Sequence, residues 1–347
     1  MAGPVVVDLE QPPEWRVAPE DLPPEAGPSD VLRFCLRYAV LAPSSHNTQP
    51  WRFRLDGDSV SVGLDTSRGL AVTDPDDREA LISVGAALLH LRVTLAALGF
   101  SCRIQLWPDP VDPETCARVT VTRDGPVDQP LAELLPAIPR RRTSRSAFST
   151  DEVPPSIVEA LIADVAAERA TLVVATDYTR RHTVAELVAD ADRRQMADRR
   201  FRRELATWVR GPATRHRDGI SGYPVPHGDV MTLAAPLLIR TFDMGRGRAA
   251  RDHELATASP VLALLTTARD GRTPWLAAGQ ALGRALLRAT LEGVQVGFLD
   301  QPIEVEGLRE AVARAFRTDQ SPQVLLRLGY AAPAVAQRRR PVDDVLE

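Results

Sequence analysis

The sequence has 347 residues, 44% of them hydrophobic, which is enough for one large domain or two of ordinary size. Its 42 basic and 46 acidic residues leave a formal net charge of −4, which argues against nucleic acid as a bulk electrostatic partner. Apart from the six histidines every basic residue is arginine, which excludes a lysine Schiff base and a P-loop lysine and requires any anion site to use guanidinium groups.

Cysteine and histidine usage predicts a reduced chain without a metal site. The three cysteines follow no metal or disulfide spacing, and the histidines are scattered. No stretch approaches 18 apolar residues, and the first residues lack the pattern of a signal peptide. We therefore expect a cytoplasmic protein with no membrane partner. Residues 1–28, rich in proline and acidic side chains, predict an extended arm.

The first half of the chain predicts a helix, a hairpin, a second helix and short strands. An apolar helical stretch precedes A-P-S-S-H-N-T-Q-P-W at 42–51, which is too polar for a core strand and too proline-bounded for a helix. A hairpin then turns at 56–58. A helix over 74–99 stops at Gly99, and two short strands follow.

The second half predicts a longer mixture of helices and buried strands. The run R-R-R-T-S-R at 140–145 precedes a helix, a strand and an arginine-rich helix over 179–210. Residues 211–235 are irregular over a length usually reserved for lids and binding loops. A buried strand, helices over 274–293 and 305–317, and a last buried strand complete the chain.

Two apolar helices share a pattern that indicates an internal repeat. One runs from Gly85 to Gly99 and the other from Gly279 to Gly293, with Ala-Leu at the same offset in both. Each is followed by a strand-like run. Two similar halves in one chain would form a pseudo-dimer with a pseudo-twofold axis.

Three polar segments are candidate binding sites, and each also has a plainer interpretation. The run at 42–51 is either a turn that caps its own backbone or a loop that wraps a planar heterocycle. The arginine runs at 140–145 and 337–345 are either solvated surface or two sides of one phosphate site. The G-R-G-R-A-A stretch at 245–250 lacks the context of a dinucleotide-binding fingerprint, and we interpret it as a loop.

Four motifs together resemble the FMN-dependent nitroreductase superfamily. They are A-P-S-S-H-N-T-Q-P-W, R-R-T-S-R with Phe148 and a D-E-x-P helix, D-Q-P-I-E-V at 300–305, and L-G-Y followed by R-R-R-P-V-D-D-V. In ordinary members the arginine motif comes before the serine motif, and each flavin lies between two subunits of a homodimer. Here the order is reversed and neither half has both motifs, which resembles the one-chain Acg-type branch with a single composite flavin site.

The resemblance implies an α+β, nitroreductase-like fold in which two similar halves form an intramolecular pseudo-dimer. Each half would be a central, mostly antiparallel sheet packed by helices. The implied parts are the arm at 1–28, a degenerate first half at 29–138 that supplies the serine loop, and a second half at 139–347. The second half would carry the arginine motif, the segment facing flavin N5 and a lid at about 211–235. The protein would be a monomer.

The same motifs imply a set of FMN-binding residues drawn from both halves. The serine loop would line the flavin, the arginine motif and the tail would hold its phosphate, ribityl chain and pyrimidine edge, and a backbone N–H near Glu304 and Val305 would donate to N5. One extra residue before Phe148 leaves the register of the arginine motif open, so its neighbouring positions are included. Arg251 is a further candidate for positive charge beside the flavin. The implied set is Pro43, Ser44, Ser45, Asn47, Arg141, Arg142, Thr143, Ser144, Arg145, Glu304, Val305, Arg338 and Arg340.

The family's chemistry implies an NAD(P)H-dependent oxidoreductase that reduces a nitroaromatic, quinone or similar planar acceptor through FMN. No side chain would act as a nucleophile, and the sequence contains no G-x-S-x-G motif. The main alternative is an FMN storage or sensing protein in which the lid, with Tyr223 and three prolines, closes the nicotinamide pocket. A flavin enzyme with a dedicated substrate and a non-enzymatic interaction protein are the others.

Overall fold

A computed structural model describes residues 12–122, 125–211, 216–221, 239–240 and 245–347. Within these residues the chain forms two four-stranded antiparallel sheets, one in each half of the sequence, with helices packed against both. The protein is therefore α+β with two similar halves, as the sequence predicts.

The first half consists of α1 (Pro28–Ala39), β1 (Trp51–Asp56), β2 (Ser59–Leu64), α2 (Arg78–Ala97), β3 (Ser101–Leu106), β4 (Thr115–Thr122) and the short helix α3 (Gln129–Ala132). Its sheet has the strand order β1-β2-β4-β3. The predicted hairpin turns at Gly57, whose φ of +59° lies in the left-handed region that favours glycine. Trp51 and Phe53 of β1 are fully buried, so this face of the sheet forms part of the core.

The second half consists of α4 (Pro155–Ala167), β5 (Thr171–Ala175), α5 (Tyr178–Ala197), α6 (Arg199–Trp208), β6 (Val209–Arg210), β7 (Ile220–Ser221), α7 (Gly245–Ala258), β8 (Val261–Thr267), α8 (Arg272–Leu291), β9 (Gln295–Phe298), α9 (Gln301–Glu304), α10 (Arg309–Phe316) and β10 (Ser321–Gly329). Its sheet has the order β5-β8-β10-β9, and β6 pairs with β7 separately. Every residue of the central strand β8 is buried.

Both halves follow the order helix, two strands, helix, two strands. In this correspondence α1 is equivalent to α4 and α2 to α8. The sheet order β1-β2-β4-β3 of the first half corresponds, strand by strand, to β5-β8-β10-β9 of the second. The second half has an insertion between β5 and β8, which carries α5, α6 and α7, and two helices between its last two strands. The insertion supplies part of the functional site described below.

The two long helices cross at a pair of glycines, Gly85 of α2 and Gly279 of α8. A Cβ atom built on Gly279 would lie 2.0 Å from the carbonyl oxygen of Ile82 and 2.8 Å from Cα of Gly85. One built on Gly85 would lie 2.2 Å from the carbonyl oxygen of Leu276 and 3.0 Å from Cα of Gly279. Equivalent positions of the two helices thus make equivalent contacts, as a pseudo-twofold axis requires.

Each of these helices also contributes to the core of the other half. The side chain of Ile82 packs in the apolar cluster around the second sheet, and that of Leu276 packs in the cluster around the first. α2 has the length and apolar composition of a membrane span, but 89% of the stretch with these properties is buried inside the protein. Its apolar character is therefore accounted for by the core that it forms.

The C-terminal tail returns to the first half. The amide of Phe53 donates to the carbonyl of Val345 at 2.8 Å, and the amide of Glu347 donates to the carbonyl of Phe53 at 2.8 Å. The tail and the crossing helices together join the two halves. The division of the chain at 28/29 and 138/139 stays a prediction.

The structure differs from the predicted elements in the insertion. The predicted helix over 179–210 is two helices, because Asp198 leaves the helical conformation and its carboxylate accepts a hydrogen bond from the amide of Arg200 at 2.7 Å. The stretch at 245–250, interpreted as a loop, instead begins α7, whose alanine-rich continuation favours a helix. The predicted lid over 211–235 falls largely outside the described residues, as do Tyr223 and the three prolines.

Candidate functional site

The two halves share one cavity of about 610 Å³, a volume typical of small-molecule and cofactor sites. The first half lines it with residues 43–47 and the start of α2. The second half lines it with residues 141–145, parts of α5, α6 and α7, and residues between Phe298 and Glu304. The serine loop and the arginine motif therefore face the same space, as two sides of one site.

All but three of the predicted binding residues line this cavity. Val305, Arg338 and Arg340 do not, whereas Arg251, the further candidate for positive charge, does. The predicted residues in the lining are Pro43, Ser44, Ser45, Asn47, Arg141, Arg142, Thr143, Ser144, Arg145 and Glu304.

The serine loop is a tight turn with an unusual backbone. His46, Asn47 and Gln49 have φ values of +50°, +56° and +54°, in the left-handed region that non-glycine residues rarely adopt. Such conformations persist only where the surroundings enforce them, and they concentrate at functional sites.

The serine hydroxyls hold this turn in place. Ser44 accepts a hydrogen bond from the amide of Gln49 at 2.9 Å, and Ser45 donates to the Glu79 carboxylate of α2 at 2.5 Å. The run at 42–51 is therefore a self-capped turn whose hydroxyls also line the cavity.

The two amide side chains of this loop bind other parts of the chain. Asn47 donates to the carbonyls of Gly219 at 3.2 Å and Arg338 at 3.1 Å, and its oxygen accepts from Arg339 at 2.9 Å. Gln49 donates to the carbonyl of Arg217 at 2.7 Å. The amide groups thus fasten residues 216–221 and the tail over the loop. Their hydrogen bonds are made within the protein.

The middle arginine of the tail, rather than its two neighbours, turns toward the cavity. Arg339 is 4% exposed and lines the cavity, and its Nε donates to the carbonyl of Ala42 at 3.2 Å. The side chain of Arg338 lies near Glu14 instead, and the backbone amide of Arg340 donates to Gln49 at 2.7 Å. Neighbouring side chains of a non-helical segment point to different sides, so Arg339 replaces Arg338 and Arg340 in the lining.

Arg141, Arg142 and Arg339 form a buried cluster, called the arginine cluster below. Arg141 is 2% exposed, its Nη1 lies 3.4 Å from the Thr143 hydroxyl, and its Nε has no hydrogen-bond partner among the described residues. Burial, reinforced by the charge of Arg142, lowers the pKa of Arg141 to about 9. Burial lowers the pKa of Arg142 to about 10 and, with both neighbours, that of Arg339 well below its usual value. An anion bound here would offset this repulsion.

Trp15 of the N-terminal arm closes one side of the arginine cluster. It is 1% exposed and lines the cavity, with its ring centroid 4.3 Å from the guanidinium carbon of Arg142 and 5.1 Å from that of Arg339. Its indole N–H donates to the carbonyl of Gln337 at 2.9 Å. The predicted arm therefore contributes a wall of the site.

Arg327 of β10 positions the arginine motif. Its side chain is buried, stacks on Phe148 at 4.2 Å, and donates to the carbonyls of Ser146 at 2.9 Å and Ser144 at 3.1 Å. Burial lowers its pKa to about 10. Because these hydrogen bonds hold the backbone at the end of the arginine motif, Arg327 acts as a positioning residue.

One wall of the cavity is apolar. Met196, Phe201, Leu205 and Ile220 all line it and belong to one buried cluster, which comes from α5, α6 and β7. A wall of this kind favours a flat ring system over a charged group.

Three carboxyl groups line the cavity as well. Glu79, from the first half, is buried, and Asp300 and Glu304, from the second half, are half-buried. Burial, together with the charge of Glu79, raises the pKa of Asp300 to about 8 and that of Glu304 well above its usual value. Gln195 donates to Glu304 at 2.5 Å, and the amide of Leu325 donates to Asp300 at 2.7 Å. Burial therefore extends the pH range over which Asp300 keeps its proton.

The backbone amides of Glu304 and Val305 are already bonded within the chain. They donate to the carbonyls of Asp300 at 3.1 Å and Gln301 at 3.2 Å, because these residues close the short helix α9. Donation to flavin N5 by a backbone N–H near Glu304 and Val305 stays a prediction.

We expect the stability of the protein to fall as the pH rises, in part because of Asp300. The folded protein holds this proton more tightly than the unfolded chain, whose aspartates titrate near 4, so stability is lost between about pH 4 and 8. One such group changes the free energy of unfolding by up to about 1.4 kcal/mol per pH unit. In urea unfolding between pH 5.5 and 8.5, the free energy of unfolding of the Asp300→Asn variant should fall less steeply with pH than that of wild type. Asp319→Asn, at an exposed position, is the control. Equal slopes for wild type and Asp300→Asn would contradict the prediction.

Several lining residues were not singled out in the sequence. Glu79 lies in the first turn of a helix, where acidic residues are common because they interact favourably with the helix dipole. Its presence there therefore does not indicate a functional site. His46 lines the cavity inside the serine motif. Burial, followed by the charges of Arg248 and Arg145, lowers its pKa to about 4, so it is neutral at pH 7. The signal for His46 was present, because a ring-bearing residue interrupts a run of small polar ones.

Comparison with known proteins gives relatives that match nearly the whole chain. Over 325 residues the chain is 34% identical to a protein of Mycobacterium tuberculosis strain H37Rv named "Putative NAD(P)H nitroreductase", covering 92% of each chain. It is 30% identical to a second protein of that strain, with the same name and the suffix acg, covering 91% of this chain and 95% of the relative. No protein-family model matches.

Among solved structures the chain is similar to the FMN-dependent nitroreductase NfnB of Mycobacterium smegmatis, solved in complex with NADPH. The identity is 16%, the TM-score is 0.39, and the match covers 64% of this chain and 99% of that one. An iodotyrosine deiodinase bound to FMN and 3-iodo-L-tyrosine matches at 14% identity with a TM-score of 0.39, over 60% of this chain and 95% of that one.

Proposed function

The chain belongs to the family of the NAD(P)H nitroreductases, and on that premise we propose that it binds FMN in the cavity between its halves and reduces a planar acceptor with NAD(P)H. The acceptor class that we propose is a nitroaromatic, a quinone or a similar flat molecule. We also propose that the protein acts in the cytoplasm as a monomer, with its internal pseudo-twofold in place of a homodimer.

The observation that carries this proposal is the arginine cluster. Three guanidiniums line the cavity, and burial lowers the pKa of each, reinforced for Arg141 and Arg339 by the charges of neighbouring arginines. The buried Nε of Arg141 has no hydrogen-bond partner within the described part of the chain. A terminal phosphate of charge about −2 would supply the missing acceptors and the missing negative charge. The residues present therefore fit the phosphate end of FMN.

The remaining lining residues suit the rest of such a molecule. Ser44, Ser45 and Thr143 offer hydroxyls for a polyol chain, and the apolar wall of Met196 and Phe201 suits a flat ring. Bound FMN would supply the hydride chemistry, which amino-acid side chains lack. Asp300, whose pKa is raised by burial, is a candidate hydrogen-bond donor in the same cavity, and Ile220 of the segment 216–221 lines it.

An absorption spectrum of the purified protein reconstituted with FMN, followed by anaerobic addition of NADPH or NADH, tests this function. Flavin bands that bleach within seconds, and recover when menadione or a nitroaromatic is added, are the expected result. Bands that resist both nicotinamides but bleach with dithionite would favour the storage or sensing alternative. A protein that takes up no FMN would contradict the proposal and the site together.

A further inference from the structure

Three metal-ligating side chains that lie outside the cavity meet on the surface of α5 and α7. His182 and Glu186 are one helical turn apart on α5, and His253 lies on α7. Nε2 of His253 is 3.1 Å from Oε1 of Glu186, Nε2 of His182 is 4.0 Å from the same oxygen, and one ligand atom from each side chain lies within 4.8 Å of the other two. We propose that these three residues, called the α5–α7 site, bind one divalent transition-metal ion of the zinc type.

The ligand set selects the class of metal. Two imidazole nitrogens and one carboxylate oxygen suit Zn²⁺, Co²⁺, Ni²⁺ or Cu²⁺, whereas Mg²⁺ and Ca²⁺ require mostly oxygen ligands. In a tetrahedral zinc site the ligand atoms are about 3.3 Å apart, since each metal–ligand bond is about 2 Å. The contact between His253 and Glu186 at 3.1 Å is already close to this spacing. A shift of His182 by at most about 1.5 Å brings its nitrogen to the same spacing from both other ligand atoms. Water would complete the coordination, because the side chains of His182 and Glu186 are 47% and 58% exposed.

The imidazole ring of His182 is held between two other rings. The ring of His182 is stacked on that of Tyr178, with centroids 5.8 Å apart and planes at 9°, and it meets the ring of His253 edge to face at 5.5 Å. Restraint of this kind lowers the conformational entropy lost when the ligands converge on an ion. The Glu186 carboxylate lies between the two nitrogens and accepts a hydrogen bond from His253.

The position of the site connects it with the cavity. α5 and α7 are also joined by the ion pair between Arg248 and Asp192, whose atoms are 2.7 Å apart, and Arg248 lines the cavity. His253 directly follows Asp252, another lining residue. A bound ion would therefore fasten together two helices that form one wall of the site. The inference itself does not depend on what the cavity binds.

Isothermal titration of Zn²⁺ into the full chain, prepared without a histidine tag, tests the proposal. We expect one ion per chain, and a rise of about 3 to 4 °C in Tm at one hundred times the Kd, given the length of the chain. Co²⁺ should give visible d–d absorption without the strong near-ultraviolet bands of thiolate ligation, which distinguishes this site from the cysteines.

Two variants and one matched control decide the assignment. Glu186→Gln and His253→Gln keep side chains of similar size and should weaken Zn²⁺ binding at least tenfold. At the same Zn²⁺ concentration this reduces the metal-dependent rise in Tm to about half or less. His216→Gln, at an exposed histidine elsewhere in the insertion, should bind as wild type does. Equal Tm values without metal show that the variants are folded. No one-to-one binding by wild type, or binding unchanged in both variants, would overturn the proposal.

Discussion

Replacing Gly279 by alanine should destabilise the protein by about 3 kcal/mol or more, the upper range for overpacking in a core. The added Cβ would lie 2.0 Å from the carbonyl oxygen of Ile82 and 2.8 Å from Cα of Gly85, both backbone atoms of the opposing helix. Backbone atoms cannot rotate away as a side chain can, so α2 and α8 would have to separate. Because each helix also carries a residue of the other half's core, separation would loosen both halves.

Thermal and urea unfolding of three variants measure this effect. Gly279→Ala and Gly85→Ala should lower the Tm by about 4 °C or more, and by similar amounts, because the contacts around the two glycines are equivalent. Gly247→Ala is the control, since this helical glycine has nothing within 4 Å of a built Cβ, and alanine there should be neutral or slightly stabilising. A Gly279→Ala protein as stable as wild type would show that the helices do not cross at these glycines.

The internal repeat could be predicted from the sequence because the backbone geometry at its key positions strongly favours glycine. Close approach of two helices admits only glycine at the crossing, and a helix that ends in the left-handed region favours glycine, as at Gly99 and Gly293 with φ of +83° and +72°. These two requirements leave the same spacing in both halves. The hairpin at Gly57 was predictable for the same kind of reason.

The parts of the site that the sequence did not reveal depend on direction and on distant contacts. A run of three arginines shows that a basic segment exists, but which of them turns inward depends on what Asn47 and Ala42 offer on the opposite side. Trp15 reaches the arginine cluster from an arm whose composition indicates only extension. His182 and His253 are far apart in sequence, so only the packing of α5 on α7 places them together.

Loss of Arg141 should abolish tight FMN binding while leaving the protein folded. If its guanidinium meets the phosphate in a buried site, Arg141→Met should weaken FMN binding about 100-fold or more, as expected when one partner of a buried charge pair is removed. The effect on stability should have the opposite sign. Burial and Arg142 lower the pKa of Arg141 to about 9, so the folded protein disfavours its charge, and a neutral side chain of similar length should keep or raise the Tm of the FMN-free protein.

Quenching of FMN fluorescence on binding and thermal unfolding of the FMN-free protein measure these two effects in the same samples. Arg338→Met is the matched control, because this arginine lies in a basic run but outside the cavity lining, and it should change the Kd of FMN by no more than about twofold. An arginine that serves only the fold would give the reverse pattern, with a lower Tm and an unchanged Kd. Since Arg141 Nη1 has only a 3.4 Å contact with Thr143 and its Nε has no partner among the described residues, little in the folded chain offsets its buried charge. Weaker FMN binding together with an unchanged or higher Tm of the FMN-free protein is therefore the result expected if Arg141 is a binding residue rather than a structural one.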